Sequence, residues 1–263
     1  MKAMTYNVYK GGEERFSNIL EIIKNQNPDL LVIQEACQWQ EDNRIEPIRQ
    51  MLDFPKAQVA HFKANQRSKS GRRYDMVFFS RYPIHSQEVI NNKNEIWHTL
   101  PHLVIETPGL IHVVLAHLSP FKHWREKEII HINSLYAKHQ HELVVLLGDL
   151  NSLSPHDPYP DDLTEQLRQH DINKFGMPPD FAIIKKLEQA GWIDALLKQP
   201  TYDGQLHVTV KEASDDKDHL NLRLDYIMGN DRLMKRVRQV EVLASEESEK
   251  ASDHFPIIAN INV

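Results

Sequence analysis

Residues 143–151 read LVVLLGDLN, and the fold class turns on that stretch. Leu143 to Leu147 is an apolar run of strand length with no polar face, the pattern of a strand covered on both sides. The run stops at Gly148 and opens into Asp149 and Asn151. By itself a GDxN stretch suits an Asx-rich turn. The arrangement recurs upstream, however. Ala3 to Val8 carries Asn7 at its end, Asp29 to Gln34 runs into Glu35, and VVLAHL at 113–118 carries His117. In layered α/β sheets, side chains just beyond the carboxyl ends of strands converge on a crevice. Asn7, Glu35, His117, Asp149 and Asn151 are therefore candidates for one site, although singly each suits a turn, a cap or a backbone-bonded imidazole.

Outward from this stretch, apolar runs alternate with helical patterns, as in a layered α/β protein. Helices are predicted over Glu13–Asn25, with Phe16, Ile19, Leu20 and Ile23 on one face, and over Glu41–Leu52, Trp124–Gln140, Leu163–Gln169 and Phe181–Ala190. Pro28 closes the first. Tyr74–Ser80 and Ile84–Ile90 read as paired strands about a turn at Arg81, Tyr82 and Pro83. Leu103–Glu106 and Ile111–Leu118 read as a second pair around Pro108 and Gly109. Late strands are expected at Leu222–Met228, Val237–Leu243 and Phe255–Val263, with charge-rich loops at Lys211–Asp218 and Ser245–Ser252. Prolines cluster between Ser152 and Pro179, which reads as an excursion that shapes a pocket. With no repeat or linker in view, the 263 residues are expected to form one domain.

Composition narrows the function classes. With 41% hydrophobic and 26% charged residues the chain is neither disordered nor of low complexity. Its one cysteine, Cys37, excludes an intramolecular disulfide and a cysteine-cluster zinc site, and suggests a reducing compartment. MKAMTYNVYKGG lacks the apolar segment of a signal peptide, and no apolar run is long enough to span a bilayer, so a cytoplasmic protein is expected. A net charge of -6 is not that of a nonspecific duplex binder. The GxSxG elbow of a serine hydrolase is missing as well.

Seven ordered segments then carry a resemblance: TYNV at 5–8, VIQE at 32–35, SRYPI at 80–84, AHL at 116–118, GDLN at 148–151, LDYI at 224–227 and SDHFPI at 252–257. Together they resemble the endonuclease/exonuclease/phosphatase (DNase I-like) superfamily, and they span essentially the whole chain. The resemblance implies a four-layer α/β sandwich, two mostly antiparallel sheets packed face to face with helices outside. It implies a phosphoesterase that uses Mg2+, for which Mn2+ may substitute, a hard cation suited to carboxylate and amide oxygens.

Carried over by position, Glu35 is the principal metal ligand, with Asn7 beside it and Asp253 completing the shell. Asp149 orients or deprotonates the attacking water, Asn151 and His117 donate to phosphate oxygens, and His254 pairs with Asp225 as a cationic dyad. Either Asp149 or His254 can serve as the base. One departure is Tyr9, which stands where some nuclease branches carry an aspartate.

Substrate identity stays open between nucleic acid, as ends or single strands, and a small or lipid-derived phosphate. A noncatalytic binding module on the same scaffold is disfavoured because Glu35, Asp149, Asp225 and His254 are all present. The one concentrated basic stretch holds Lys63, Arg67, Lys69, Arg72, Arg73 and Arg81. It reads either as a solvated loop or, through Arg67, Arg72 and Arg73, as a phosphate collector. Arg125 is expected to reach the crevice from the helix after His117, and Trp97, Phe121 and Tyr159 are the aromatic pocket candidates. No protein partner is expected.

Overall fold

Alternation along β1 (Lys2–Asn7) sends Ala3 to one apolar layer and Met4 and Tyr6 to another, so this strand is buried on both faces. The same holds for β2 (Leu30–Gln34), whose five residues are all buried. The computed structural model describes residues 1–200, 202–212 and 220–263. The first sheet also contains β3 (Val59–Phe62), β4 (Met76–Ser80), β13 (Val237–Val242) and β14 (Ile257–Ile261), in the order β13-β14-β1-β2-β4-β3. The second is built from β5 (Ile84–Ile90), β6 (Leu100–Glu106), β7 (Leu110–His117), β8 (Leu143–Asp149), β9 (Ile193–Asp194) and β12 (Asp225–Gly229), in the order β5-β6-β7-β8-β12-β9.

Leu30, Val32, Met76, Phe78 and Ile257 of the first sheet pack against Leu103, Val113, Leu115, Val145 and Ile227 of the second, forming the inner layer of the sandwich. Outside the first sheet lie α1 (Phe16–Gln26), α2 (Ile45–Met51) and α8 (Glu246–Ala251), through Ile19, Ile23, Ile48 and Ala251. Outside the second lie α3 (Lys122–His139) and α5 (Ala182–Ala190), through Ile129, Ile132, Ile184 and Leu187. Burying each such aliphatic side chain contributes about 1.5–3 kcal/mol. This is the expected four-layer sandwich.

Strand direction positions the site. Each sheet has a single parallel pair at its centre, β1 with β2 and β7 with β8, and every other pairing is antiparallel. Both parallel pairs end at the same rim, where Asn7 lies opposite Gln34 and His117 opposite Asp149. β12 and β14 run against these pairs and begin there, with Asp225 opposite Asp149. Gly148 makes the last step possible. A Cβ at Gly148, whose φ is 146°, would lie 1.8 Å from the Ala116 carbonyl oxygen on the paired strand.

The excursion after Asn151 folds around α4 (Leu163–Gln169). Leu153, Leu163, Leu167, Ile172 and Phe175 meet Leu220, Leu222 and Leu224 in a small core of their own. A hairpin of β10 (Val210–Glu212) and β11 (Leu220–Leu222) joins that core. The helices α6 (Ala195–Lys198) and α7 (Asp231–Met234) are single turns flanking β12.

Several expectations need correction. β4 and β5 are not a hairpin, because both edges of β4 are already taken by β2 and β3; after Ser80 the chain crosses to the other sheet, where β5 pairs with β6 as a mostly exposed edge strand. β6 and β7 do pair as expected. Ser245–Ser252 is not a loop: Ser245 caps α8 by accepting from the Ser248 N–H, and three glutamates occupy its first turn. The four-residue β3 had no long apolar run to announce it. Within Lys211–Asp218, Lys211 and Glu212 belong to β10, and 213–218 lie outside the described residues. The strand read over Leu222–Met228 is interrupted at Arg223 and Leu224, which divide β11 from β12. Among the described residues no helix is long and apolar enough to cross a membrane.

Candidate active site

Because six chain segments begin or end at one rim, Asn7, Glu35, His117, Asp149, Asp225 and His254 come together there. Asn7 is the hub: its Nδ2 lies 3.1 Å from Asp149 Oδ2 and 3.4 Å from Glu35 Oε1, bridging the two sheets. Its Oδ1 accepts the Tyr9 N–H at 3.0 Å. The carbonyl expected to face a metal is thus engaged with the loop after β1. Glu35 has left-handed backbone, φ 57°, an uncommon conformation for a glutamate that turns the chain out of β2. Its Oε2 accepts the Lys10 N–H at 2.7 Å.

On the second sheet, Asp149 Oδ1 accepts the Asn151 N–H at 2.8 Å, while the Asn151 amide donates to the Leu118 carbonyl at 2.9 Å and its oxygen accepts from Lys174 Nζ at 3.3 Å. Asn151, expected to donate to phosphate, here fixes the Asp149 carboxylate. Asp225 Oδ2 lies 2.8 Å from His254 Nδ1. Ser252 holds the segment in place by donating to the Asn7 carbonyl at 2.8 Å and accepting the His254 N–H at 3.2 Å. Asp149, Asp225 and His254 each offer an atom within 4.8 Å of the others, a grouping able to hold a metal ion.

Burial sets the charge states. Against burial, which opposes ionisation, Asp225 holds the His254 imidazole well above its usual range, helped by Asp253 and Asp149. Burial, reinforced by Asp225, pushes Asp149 up to about 6. Burial likewise raises Glu35, and lowers His117 to about 4 despite the Glu35 carboxylate nearby. His117 stacks flat on His98, with centroids 3.9 Å apart and planes 6° from parallel. Its Nε2 is 3.7 Å from Asp149 Oδ2 and 4.0 Å from Glu35 Oε1. The result is one cationic imidazole, His254, two neutral ones, His117 and His98, and the carboxylates of Glu35, Asp149, Asp225 and Asp253 around one cleft.

The family model described as the endonuclease/exonuclease/phosphatase family matches residues 4–254. The chain belongs to that family. Members of the endonuclease/exonuclease/phosphatase family hydrolyse phosphoesters, commonly with divalent metals. Similar solved structures include an AP endonuclease from Archaeoglobus fulgidus, 18% identical with a TM-score of 0.70. They also include a 3'-5' exonuclease (NExo) from Neisseria meningitidis, 18% identical with a TM-score of 0.73. A third is a 3' phosphatase NExo from Neisseria bound to product DNA hairpin, 17% identical with a TM-score of 0.72. Each alignment covers 100% of both chains. No curated protein matches the sequence significantly.

In this member of the family the cleft holds about 450 Å³, a size suited to a nucleotide or another small phosphate. Its lining includes the rings of Tyr74, Trp97, His98 and Phe121 and the basic side chains of Arg67, Lys69 and Lys174. Trp97 meets Phe121 edge-on at 5.1 Å. Of the expected basic collector, only Arg67 lines this cleft. Arg72 and Arg73 line a neighbouring pocket and are paired, Arg72 with Glu13 at 2.7 Å and Arg73 with Asp75 at 3.0 Å. Arg81 is engaged with Asp29 and Asn27 away from the cleft.

Arg125 does not reach the cleft. It is buried, donating to the Ser119, Pro120 and Lys174 carbonyls, and so braces the loop below the site. Tyr159 is likewise withdrawn into the small core, bonded to Asp157. His98 and Lys174 escaped sequence reasoning: a histidine in IWHTL and a lysine in a polar excursion carry no periodic signal. Only the departure of the excursion directly from Asn151 pointed toward Lys174.

Proposed function

We propose that this chain is a Mg2+-dependent phosphodiesterase acting on nucleic acid at ends or single-stranded stretches. The observation that carries the reading is the meeting of Glu35, Asp149 and the Asp225–His254 pair around Asn7 at one rim. Glu35, Asp149, Asp225 and Asp253 would oppose an incoming phosphate, and a divalent cation would offset them alongside His254 and the basic residues of the cleft wall. The residues fit one. Burial already penalises the Glu35 charge, and the donor set is rich in carboxylate oxygen, the ligand type of a hard cation. Glu35 and Asp253 would hold Mg2+, with Asn7 steering the Glu35 carboxylate by its amide. When bound, the cation supplies charge neutralisation for a phosphate oxygen.

The remaining chemistry belongs to the chain. Asp149, oriented by the Asn151 N–H and the Asn7 amide and raised to about 6, is suited to align a water and accept its proton near neutral pH. His254, cationic and tied through Nδ1 to Asp225, keeps Nε2–H to donate to charge developing on the phosphoryl oxygens. This favours Asp149 over His254 as the base. Neutral His117 remains a donor. Trp97, Phe121 and Tyr74 offer ring faces and edges to a terminal base, with Arg67 and Lys69 near the flanking phosphate. The AP endonuclease and DNA-hairpin-bound phosphatase among the similar structures support a nucleic-acid substrate.

The test is a substrate panel with Mg2+ or Mn2+ against an EDTA control: bis-p-nitrophenyl phosphate, p-nitrophenyl phosphate, single-stranded and recessed-end DNA, and inositol and lipid phosphates. Cleavage of the diester and of DNA ends, abolished by EDTA, is expected. A preference for the monoester or for inositol or lipid phosphates would overturn the reading.

A further inference from the structure

A second cluster of titratable groups lies on the outer face of the second sheet, away from the cleft. His102 on β6, His112 on β7 and His139 at the end of α3 each offer a nitrogen within 4.8 Å of the others. His112 precedes His117 by five residues on β7, which places the cluster about 17 Å along the strand from the rim. His102 and His112 are buried.

The hydrogen bonding sets the direction of each ring. His102 Nδ1 lies 2.9 Å from Glu88 Oε1, His112 Nε2 2.7 Å from Glu142 Oε2, and His139 Nδ1 3.0 Å from Glu142 Oε1. Glu142 is held below its usual range first by its hydrogen bonds to His139 and His112, and Glu88 by its bond to His102, so both are acceptors and the imidazoles donate. Three outward N–H groups leave three inward lone pairs, on His102 Nε2, His112 Nδ1 and His139 Nε2. Two of these, His102 Nε2 and His112 Nδ1, stand 3.0 Å apart. Without a positive centre between them two acceptors would face each other. An extra proton satisfies that pair alone, and burial opposes it by lowering both His102 and His112. It also leaves His139 Nε2, which is buried and without a partner among the described residues.

We propose that His102, His112 and His139 form a transition-metal site for Zn2+, with three imidazole nitrogens as ligands and water in the fourth position. Tetrahedral nitrogen ligands about 2.0–2.1 Å from Zn2+ stand about 3.3 Å apart, near the 3.0 Å between His102 Nε2 and His112 Nδ1, and all three nitrogens lie within 4.8 Å of one another. The carboxylates behind the rings are the usual outer partners that fix the tautomer and orientation of zinc-bound histidines. The donor set is all nitrogen, so it selects a borderline metal over Mg2+ and is chemically distinct from the oxygen-rich cleft. The metal would clamp the C-terminal end of α3 to β6 and β7.

The experiment titrates the purified full chain with Zn2+ alone in excess Mg2+, which occupies oxygen sites, and reads stoichiometry, affinity and Tm. One equivalent of Zn2+ is expected to bind and raise Tm. His112→Gln and His139→Gln should each weaken binding by more than about 100-fold and Glu142→Gln by about 10- to 100-fold, whereas His254→Gln leaves it unchanged. Co2+ in place of Zn2+ should give the intense visible absorption of a tetrahedral site. No Zn2+ binding by the wild type overturns the proposal, as does wild-type affinity in folded His139→Gln. Since His139 sits at a helix end, that variant decides the matter if His112→Gln fails to fold.

Discussion

Arg223 and Asp225 stand two residues apart, both buried and both charged, yet they serve opposite ends. Arg223 closes an electrostatic circuit: its Nε reaches Asp157 at 2.9 and 3.0 Å and its Nη1 reaches Asp194 at 2.6 Å. Each carboxylate has a further donor, the Tyr159 hydroxyl for Asp157 and the Leu196 N–H for Asp194. The cluster ties the excursion, β9 and the start of β12 together. Asp225 belongs to a set that opens on a cleft instead of closing on itself: it pairs with the cationic His254 beside Asp149, with Glu35, Asp253 and Lys174 along the same cleft. The first cluster is closed within the protein, whereas the second faces a cavity where a ligand can reach it.

The sharpest way to break that contrast is to neutralise each region. Asp149→Asn and His254→Ala should each lower kcat by about 10²–10⁴, with Tm raised for Asp149→Asn as repulsion is relieved and lowered for His254→Ala, which takes the imidazole from the buried Asp225. Steady-state kinetics with thermal denaturation checks both halves. Arg223→Ala should do the reverse, destabilising the fold by about 3–5 kcal/mol in urea unfolding because Asp157 and Asp194 are left buried and unpaired, while the folded fraction keeps its kcat. Loss of activity without loss of stability there would erase the distinction.

Smaller effects sharpen it at the cleft wall. Trp97→Ala should raise KM for DNA ends by about 5- to 30-fold, the equivalent of about 1–2 kcal/mol of stacking, with little change in kcat. Arg67→Ala should reduce the salt dependence of DNA binding by about one phosphate contact, whereas Arg72→Ala, already paired with Glu13, should leave it unchanged in a fluorescence titration. Cys37 gives a readout independent of catalysis. Burial first, then the Glu35 and Asp75 carboxylates, push its thiol up to about 12, well above the usual thiol range. The native thiol therefore stays protonated as pH rises through 9 while the unfolded one ionises. Iodoacetamide labelling at pH 8 to 9 should be about 10³-fold slower in the folded protein.

The sequence was most legible where burial is two-sided. β2 and β8 are continuous apolar runs because sheet and helix cover both faces, and the polar residue ending each run is visible against that background. β5 was read as a strand but assigned the wrong neighbour, since a turn at Arg81–Pro83 fits a hairpin and a crossing between sheets equally well. α8 was hidden by its charge: EESEKA has a cap and an acidic first turn but almost no apolar face. Arg125, reasonable as a phosphate ligand from its place after His117, is turned inward by three carbonyls that no local pattern reveals.

By itself the sequence determined the long central strands, the layered class and the identity of the polar residues that terminate those strands, because these depend on periodicity and on local chain chemistry. Only the tertiary structure decided that Asn7 bridges Glu35 to Asp149 across two sheets, that His98 lies flat on His117, and which arginines face the cleft. Those are contacts between residues far apart in sequence. Their geometry is set by strand register and side-chain packing, and neither leaves a mark on neighbouring letters.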